Sequence, residues 1–158
     1  MGLEKDEDLD ADMYEFVIGY LKENGYHHYE ISNFAKPGWE CQHNINYWQN
    51  GQYLGFGLGA VSHIRDIRIK NTENMDEYLK GNFNTISEKL VSDKKTSENL
   101  MLGLRLIDGI KISEEVKTKF FQQISKLKNS FLLTEQNNLL KLTDKGLLMA
   151  NYVFCEFL

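Results

Sequence analysis

Residues 131–142 read FLLTEQNNLLKL, and this stretch decides the fold of the second half of the chain. Two apolar runs, 131–134 and 139–142, flank the polar tip Glu135-Gln136-Asn137-Asn138, which is the pattern of a β-hairpin. Helical periodicity surrounds it. Ser92 can cap a helix reaching about Leu106, with Leu100, Leu104 and Ile107 on one stripe and Asp108-Gly109 as its stop. Ser113 with Glu114 and Glu115 opens a short second helix, and residues 120–127 suggest a third. Residues 144–157 predict one closing helix, with Leu147, Leu148, Tyr152 and Phe154 available for burial. Helices followed by a hairpin describe a winged-helix-like module over 91–158.

Upstream the pattern differs. Met13, Phe16, Val17, Tyr20 and Leu21 recur at three- and four-residue steps, so residues 9–24 predict an amphipathic helix stopped by Gly25. Residues 27–31 are short and β-prone, with Tyr29 and Ile31 alternating against His28 and Glu30. Helix, glycine, strand is half of an α/β unit, which is rarely stable alone. Residues 1–35 therefore read as the end of a larger α/β domain. Residues 36–90 form a connecting region. It opens with a turn at Pro37-Gly38 and a short helix over 42–50 ending at Gly51. Residues 53–64 predict a strand, with a further strand at 68–70 and a helix at 75–79. The fold class expected is α+β.

Bulk properties narrow the function. With 158 residues, 42% of them hydrophobic and 12% aromatic, the chain can bury a sizeable core. No apolar run approaches the ~18–20 residues of a membrane helix, and no signal-peptide pattern opens the chain. Asp6 stands where a myristoylation signal wants Ser or Thr. Cys41 and Cys155 are far apart and make no disulfide framework, which favours a reducing, cytoplasmic setting. The net charge of −5 resides in residues 1–12, with six acids against Lys5; the remaining 17 acids and 17 bases cancel. That acidic start reads as a solvated lead-in favoured at a helix N-terminus.

Four places can carry chemistry. In His43-Asn44-x-x-Tyr47-Trp48, a helix puts His43 with Tyr47 on one face and Asn44 with Trp48 on another. A neutral imidazole suits haem iron, and rings beside it can pack on a porphyrin. Equally, Tyr47 and Trp48 can be core, with His43 capping or bonding locally. Zinc lacks a second ligand pair at finger-like spacing, and Cys41 near His43 is no sign of hydrolase chemistry. In Gly55-Phe56-Gly57-Leu58-Gly59-Ala60 the glycines fall at every second position. A strand would turn all three to one side and pack Phe56, Leu58 and Ala60 on the other. Such glycines permit close approach of a ligand or backbone, or a bend in a curved sheet. Ser62 and His63 would then stand at the strand's end, where α/β folds bind ligands. Ser32-Asn33 after the first strand is a binding corner or a capped turn. Finally, residues 86–130 hold nine Lys/Arg among six Asp/Glu, dispersed and without a basic stripe. That balance favours a docking or structural wing over DNA binding.

The segment YEISNFAKPGWECQHNINYWQNGQYLGFGLGAVSHI, residues 29–64, resembles the hallmark segment of HemW proteins. These are haem chaperones in the radical-SAM group that includes oxygen-independent coproporphyrinogen III oxidase (HemN). SENLMLGLRLIDGI (97–110) and LTDKGLLMANYVFCEFL (142–158) are similar to that family's C-terminal domain. The resemblance implies a partial TIM-like barrel ending near residue 35, followed by the winged-helix-like region. It also implies a 4Fe–4S cluster on a Cys-x-x-x-Cys-x-x-Cys run, with S-adenosylmethionine at the open iron. This chain contains no such run, so it is expected to correspond to the C-terminal part and to perform no radical chemistry alone. Carried over, the family's haem-attachment motif falls on His43, Asn44, Tyr47 and Trp48, with His43 as the iron ligand. Ser32, Asn33, Gly55, Gly57 and Gly59 resemble parts bordering the S-adenosylmethionine side.

The expectation is thus the C-terminal portion of a haem chaperone. Its partners would be haem or porphyrin and a haem-acceptor protein, with no nucleic acid. The alternatives are a fragment of the porphyrinogen oxidase or, in a different class, a winged-helix DNA-binding regulator.

Overall fold

The computed structural model describes residues 6–158; Glu4 and Lys5 of the acidic lead-in lie outside them. Helix α1 (Glu7–Glu23) starts where the Asp6 carboxylate accepts from the Leu9 N–H at 3.1 Å. Gly25, at φ +75°, turns the chain out of it. The helix forms as its periodicity predicts, but its apolar stripe faces outward. Leu9, Met13, Phe16, Val17 and Tyr20 are exposed, and the half-buried face is Ala11, Tyr14, Ile18 and Leu21.

Strands β1 (His27–Glu30) and β2 (Asn33–Ala35) make a two-stranded antiparallel ribbon. The expected alternation fails here, because Tyr29 and Glu30 are both buried. The reason is that β1 is covered on two sides. Beyond β2, it bridges to residues 105–107, through Ile31 N–H to Arg105 O (3.1 Å) and Ile107 N–H to Tyr29 O (3.3 Å). Pro37-Gly38 forms a tight turn, with Trp39 N–H on Lys36 O at 2.9 Å and Gly38 at φ +84°. Helix α2 (Gln42–Trp48) follows.

Strands β3 (Val61–Ile64), β4 (Ile67–Asn71) and β5 (Asn84–Lys89) form an antiparallel sheet in that order. Arg65 and Asp66, both at positive φ, make the two-residue β3–β4 turn. Helix α3 (Met75–Leu79), capped by Asn74, lies between β4 and β5. No strand spans 53–64. Only Tyr53 pairs with His63, and β3 begins at Val61. The polar β5 was not marked as a strand by its sequence, since its pairing with β4 is made by the backbone.

The rest is a compact alternation. Helix α4 (Ser92–Gly103) begins one residue earlier than a Ser92 cap implies, with Val91 as its N-cap. Strand β6 (Ile110–Lys111) is followed by α5 (Glu114–Lys119), capped by Ser113, and α6 (Phe121–Asn129). Then come β7 (Leu133–Gln136) and β8 (Leu139–Leu142), in a sheet ordered β6-β8-β7. The hairpin is tighter than the four-residue tip suggests. Glu135 and Gln136 belong to β7, and Asn137-Asn138, both at positive φ, make the turn. The closing helix is two pieces, α7 (Asp144–Leu148) and α8 (Ala150–Cys155), broken at Met149. That break turns Val153, Phe154 and Phe157 into the core and leaves Leu148 and Tyr152 exposed. The shared core runs from Leu100 to Phe157, around Leu104, Leu127 and Leu140, each 0% exposed. The fold is α+β.

Candidate functional site

Helix α2 has little reason to exist by itself. It is seven residues long, its N-cap Cys41 makes no side-chain bond, and none of its residues is buried. Its C-terminal end is well closed, with Asn50 at φ +52° and Gly51 N–H on Asn46 O at 2.8 Å. The rest of its hold comes from side chains on two faces.

On one face, His43 is exposed and stands edge-on to Tyr47, with ring centroids 4.8 Å apart. Tyr47 stacks on Tyr53 at 4.3 Å, and Tyr53 lies 6.0 Å from His63. Burial raises the Tyr53 hydroxyl pKa, with Tyr47 adding to the effect and Arg68 opposing it. His63 is 2% exposed. Its Nδ1–H donates to Gly51 O at 3.1 Å, which leaves a buried, unpartnered Nε2. The outcome is a row of four rings with an accessible imidazole at its outer end.

On the other face, Trp48 lies under the Arg105 guanidinium, 4.2 Å from ring centre to carbon, with the Phe154 ring at 5.9 Å. Behind Arg105 sits Glu30, 0% exposed. Its Oε1 accepts from Ser32 N–H at 3.2 Å and from the Asn33 side-chain amide. Its Oε2 lies 3.9 Å from Arg105 Nη2. Tyr14 donates its hydroxyl to Ile31 O at 2.7 Å nearby, and burial ahead of the Glu30 charge raises its pKa. The Ser32-Asn33 corner is therefore joined to Trp48 through Glu30 and Arg105.

The glycine segment is a loop, so its glycines do not line one face. Gly57 (φ +109°) and Gly59 (φ +68°) turn it, and Asn71 Nδ2 clamps Gly57 O at 2.8 Å. At Gly55 a Cβ would lie 2.2 Å from Val61 O, so the close approach there is backbone against backbone. Gly55 N–H donates to Ser62 Oγ at 3.0 Å. Ser62 and His63 lie buried within β3 and are not at an open strand end. Phe56 is 87% exposed and packs no sheet face.

Sequence spacing thus located His43 and Tyr47 as a pair. It separated Trp48 from them correctly but offered no partner for it. Tyr53 and Arg105 went unmarked, Glu30 was read only as the polar side of a strand, and His63 was placed at an open strand end and not in a ring row. Arg105 carried one signal, a lone cation between Leu104 and Leu106 in an apolar stripe. Among the described residues, no three His, Cys, Asp or Glu side chains gather as a metal cage. Ligation of a haem iron by one imidazole needs no such cage.

No family model matches the chain. It is 40% identical over 96% of its length to the haem chaperone HemW of Lactococcus lactis, and 33% identical over 96% to that of Bacillus subtilis. This is a HemW-like chain. It spans 43% of the length of each of these two HemW proteins. In fold, the HemW-like chain is similar to coproporphyrinogen III oxidase (HemN) of Escherichia coli, a radical-SAM enzyme. The TM-score is 0.69 at 17% identity, covering 92% of this chain and 40% of that one. None of its described helices is long and apolar enough to cross a membrane.

Proposed function

We propose that this chain is the haem-handling portion of a haem chaperone, binding haem at α2 with His43 as the axial ligand. The observation that carries the reading is the exposed His43 imidazole, set against the Tyr47 ring in the His-Asn-x-x-Tyr-Trp run. Tyr47 lends an aromatic edge beside the porphyrin, Asn44 flanks the ligand, and Trp48 closes the motif. Haem is cargo here, taken from one protein and passed to an acceptor protein in the cytoplasm.

Ser32, Asn33, Gly55, Gly57 and Gly59 are assigned to the S-adenosylmethionine side of the longer relatives. Cluster ligation is assigned outside this chain, since its two distant cysteines, Cys41 and Cys155, cannot supply the three thiolates of a Cys-x-x-x-Cys-x-x-Cys run. The oxidase alternative has the fold alone behind it. The DNA-binding alternative is disfavoured by charge pairing within the wing. Lys117 and Lys128 both meet Glu135, Lys119 meets Asp93, and Lys126 meets Glu156.

The test is titration of the purified chain with haemin, followed at the Soret band, against His43→Ala. Loss of the ligand should weaken binding at least tenfold and shift the band. An unchanged spectrum and affinity would remove His43 as the ligand.

A further inference from the structure

Three buried polar atoms without hydrogen-bond partners cluster behind α2: Glu30 Oε2, Arg105 Nε and Trp48 Nε1. Their arrangement shows what sets the place of Arg105. A guanidinium free to serve Glu30 would close on the carboxylate with two bonds under ~3 Å. Here the nearest approach is 3.9 Å, and the flat face of the cation rests on the Trp48 ring at 4.2 Å. Arg105 is also fixed from behind, because its carbonyl accepts the Ile31 N–H at 3.1 Å and Phe154 lies at 5.9 Å. Its main chain therefore belongs to the β1 junction and the large core, while its side chain reaches across to α2. With no buried residue and no side-chain N-cap, α2 depends on such contacts for its orientation. On the opposite face Tyr47 stacks on Tyr53 at 4.3 Å, and Asn50 Nδ2 donates to Asn99 Oδ1 at 2.8 Å only at the helix's exit, so Trp48 on Arg105 is what fixes the inner face.

We propose that Arg105 is a positioning residue for haem capture: it seats α2 through Trp48 and so aims His43, which lies on the same helix. This assignment rests on the haem reading above. It makes Trp48 an anchor turned toward protein, and Glu30 the buried counter-charge that keeps Arg105 in place.

The test uses the intact chain in a Trp39→Phe background, which leaves Trp48 as the sole tryptophan. Haemin titration and Trp48 emission are measured for Arg105→Gln and for the double variant Glu30→Gln/Arg105→Gln. The double variant removes both buried charges together, so an unpaired Glu30 does not decide the result. In it, haem affinity should fall about fivefold, the scale of one cation–π contact. The Soret maximum should stay where it is, because His43 is still present. Trp48 emission should shift to the red and become open to acrylamide quenching. Wild-type haem affinity with a shielded Trp48 in the double variant would overturn the proposal. If His43→Ala binds haem as the parent does, the haem reading falls and the aiming role with it. Trp48 shielding then still reports whether Arg105 seats α2.

Discussion

Residues 100–157 gather fourteen buried apolar side chains into one core, whereas residues 6–90 leave whole apolar surfaces open. Leu9, Met13, Phe16, Val17 and Tyr20 run exposed along α1, and Leu54, Phe56 and Leu58 are exposed in the glycine loop. Both regions show apolar residues recurring at helical spacing. In the first, the periodic residues meet three strands and each other. In the second, the half-buried face of α1 is the other one, around Tyr14 and Ile18. Periodicity announces that a helix has an apolar face; what covers that face is a property of the neighbours. The candidate haem helix sits between the two regimes, unburied itself and held by an arginine rooted beside the core.

The contrast can be broken most sharply by paired truncations. Leu104→Ala, at a site 0% exposed, should cost about 2–5 kcal/mol in denaturant unfolding. Phe16→Ser, at a site 70% exposed, should stay within about 0.5 kcal/mol. Comparable losses at both sites would mean that α1 buries its stripe in solution. A second comparison adds atoms instead of removing them. At Gly146 a Cβ would lie 2.0 Å from Leu132 O, so Gly146→Ala should destabilise by about 1–3 kcal/mol. At Gly19, inside α1, nothing lies within 4 Å, so Gly19→Ala should stabilise by up to about 1 kcal/mol. Melting temperatures of the two variants, moving in opposite directions, would sharpen the difference.

The smallest effect concerns pH. Burial holds the His28 pKa below its ordinary value near 6.5, against the raising effect of its bond to Ile31 O. The unfolded chain then binds the proton more readily than the folded one. Its contribution to stability is full above the ordinary value and declines as pH falls through that value toward the folded pKa. Melting curves between pH 7.5 and 5 should show part of this decline removed in His28→Phe, which keeps the stack on Phe34. Identical pH profiles would show that His28 plays no part.

Much of the fold was legible where one local signal sufficed. Ser113 capped its helix, Pro37-Gly38 made its turn, and two apolar runs found the hairpin, because each needs only nearby chain. The glycine segment misled because alternation at period two fits a strand equally well. The positive φ of Gly57 and Gly59, which turns it into a loop, leaves no separate mark in the letters. The long closing helix misled similarly, since the break at Met149 is imposed by Val153, Phe154 and Phe157 reaching the core. At the candidate site, the i to i+4 spacing of His43 and Tyr47 predicted their contact. The partners from afar, Arg105 for Trp48 and His63 for Tyr53, were beyond any local rule.

By itself, then, the sequence determined most of the helical segments, where the hairpin turns, which helix carries His43, and the kinship of the run around it. These depend on propensity, capping and spacing within a few residues. Only the tertiary structure decided that α1 turns its stripe outward, that Glu30 is wholly buried, and that α2 leans on Arg105. Those outcomes depend on burial and charge pairing between residues such as Glu30, Trp48 and Arg105, which the chain brings together only when it closes.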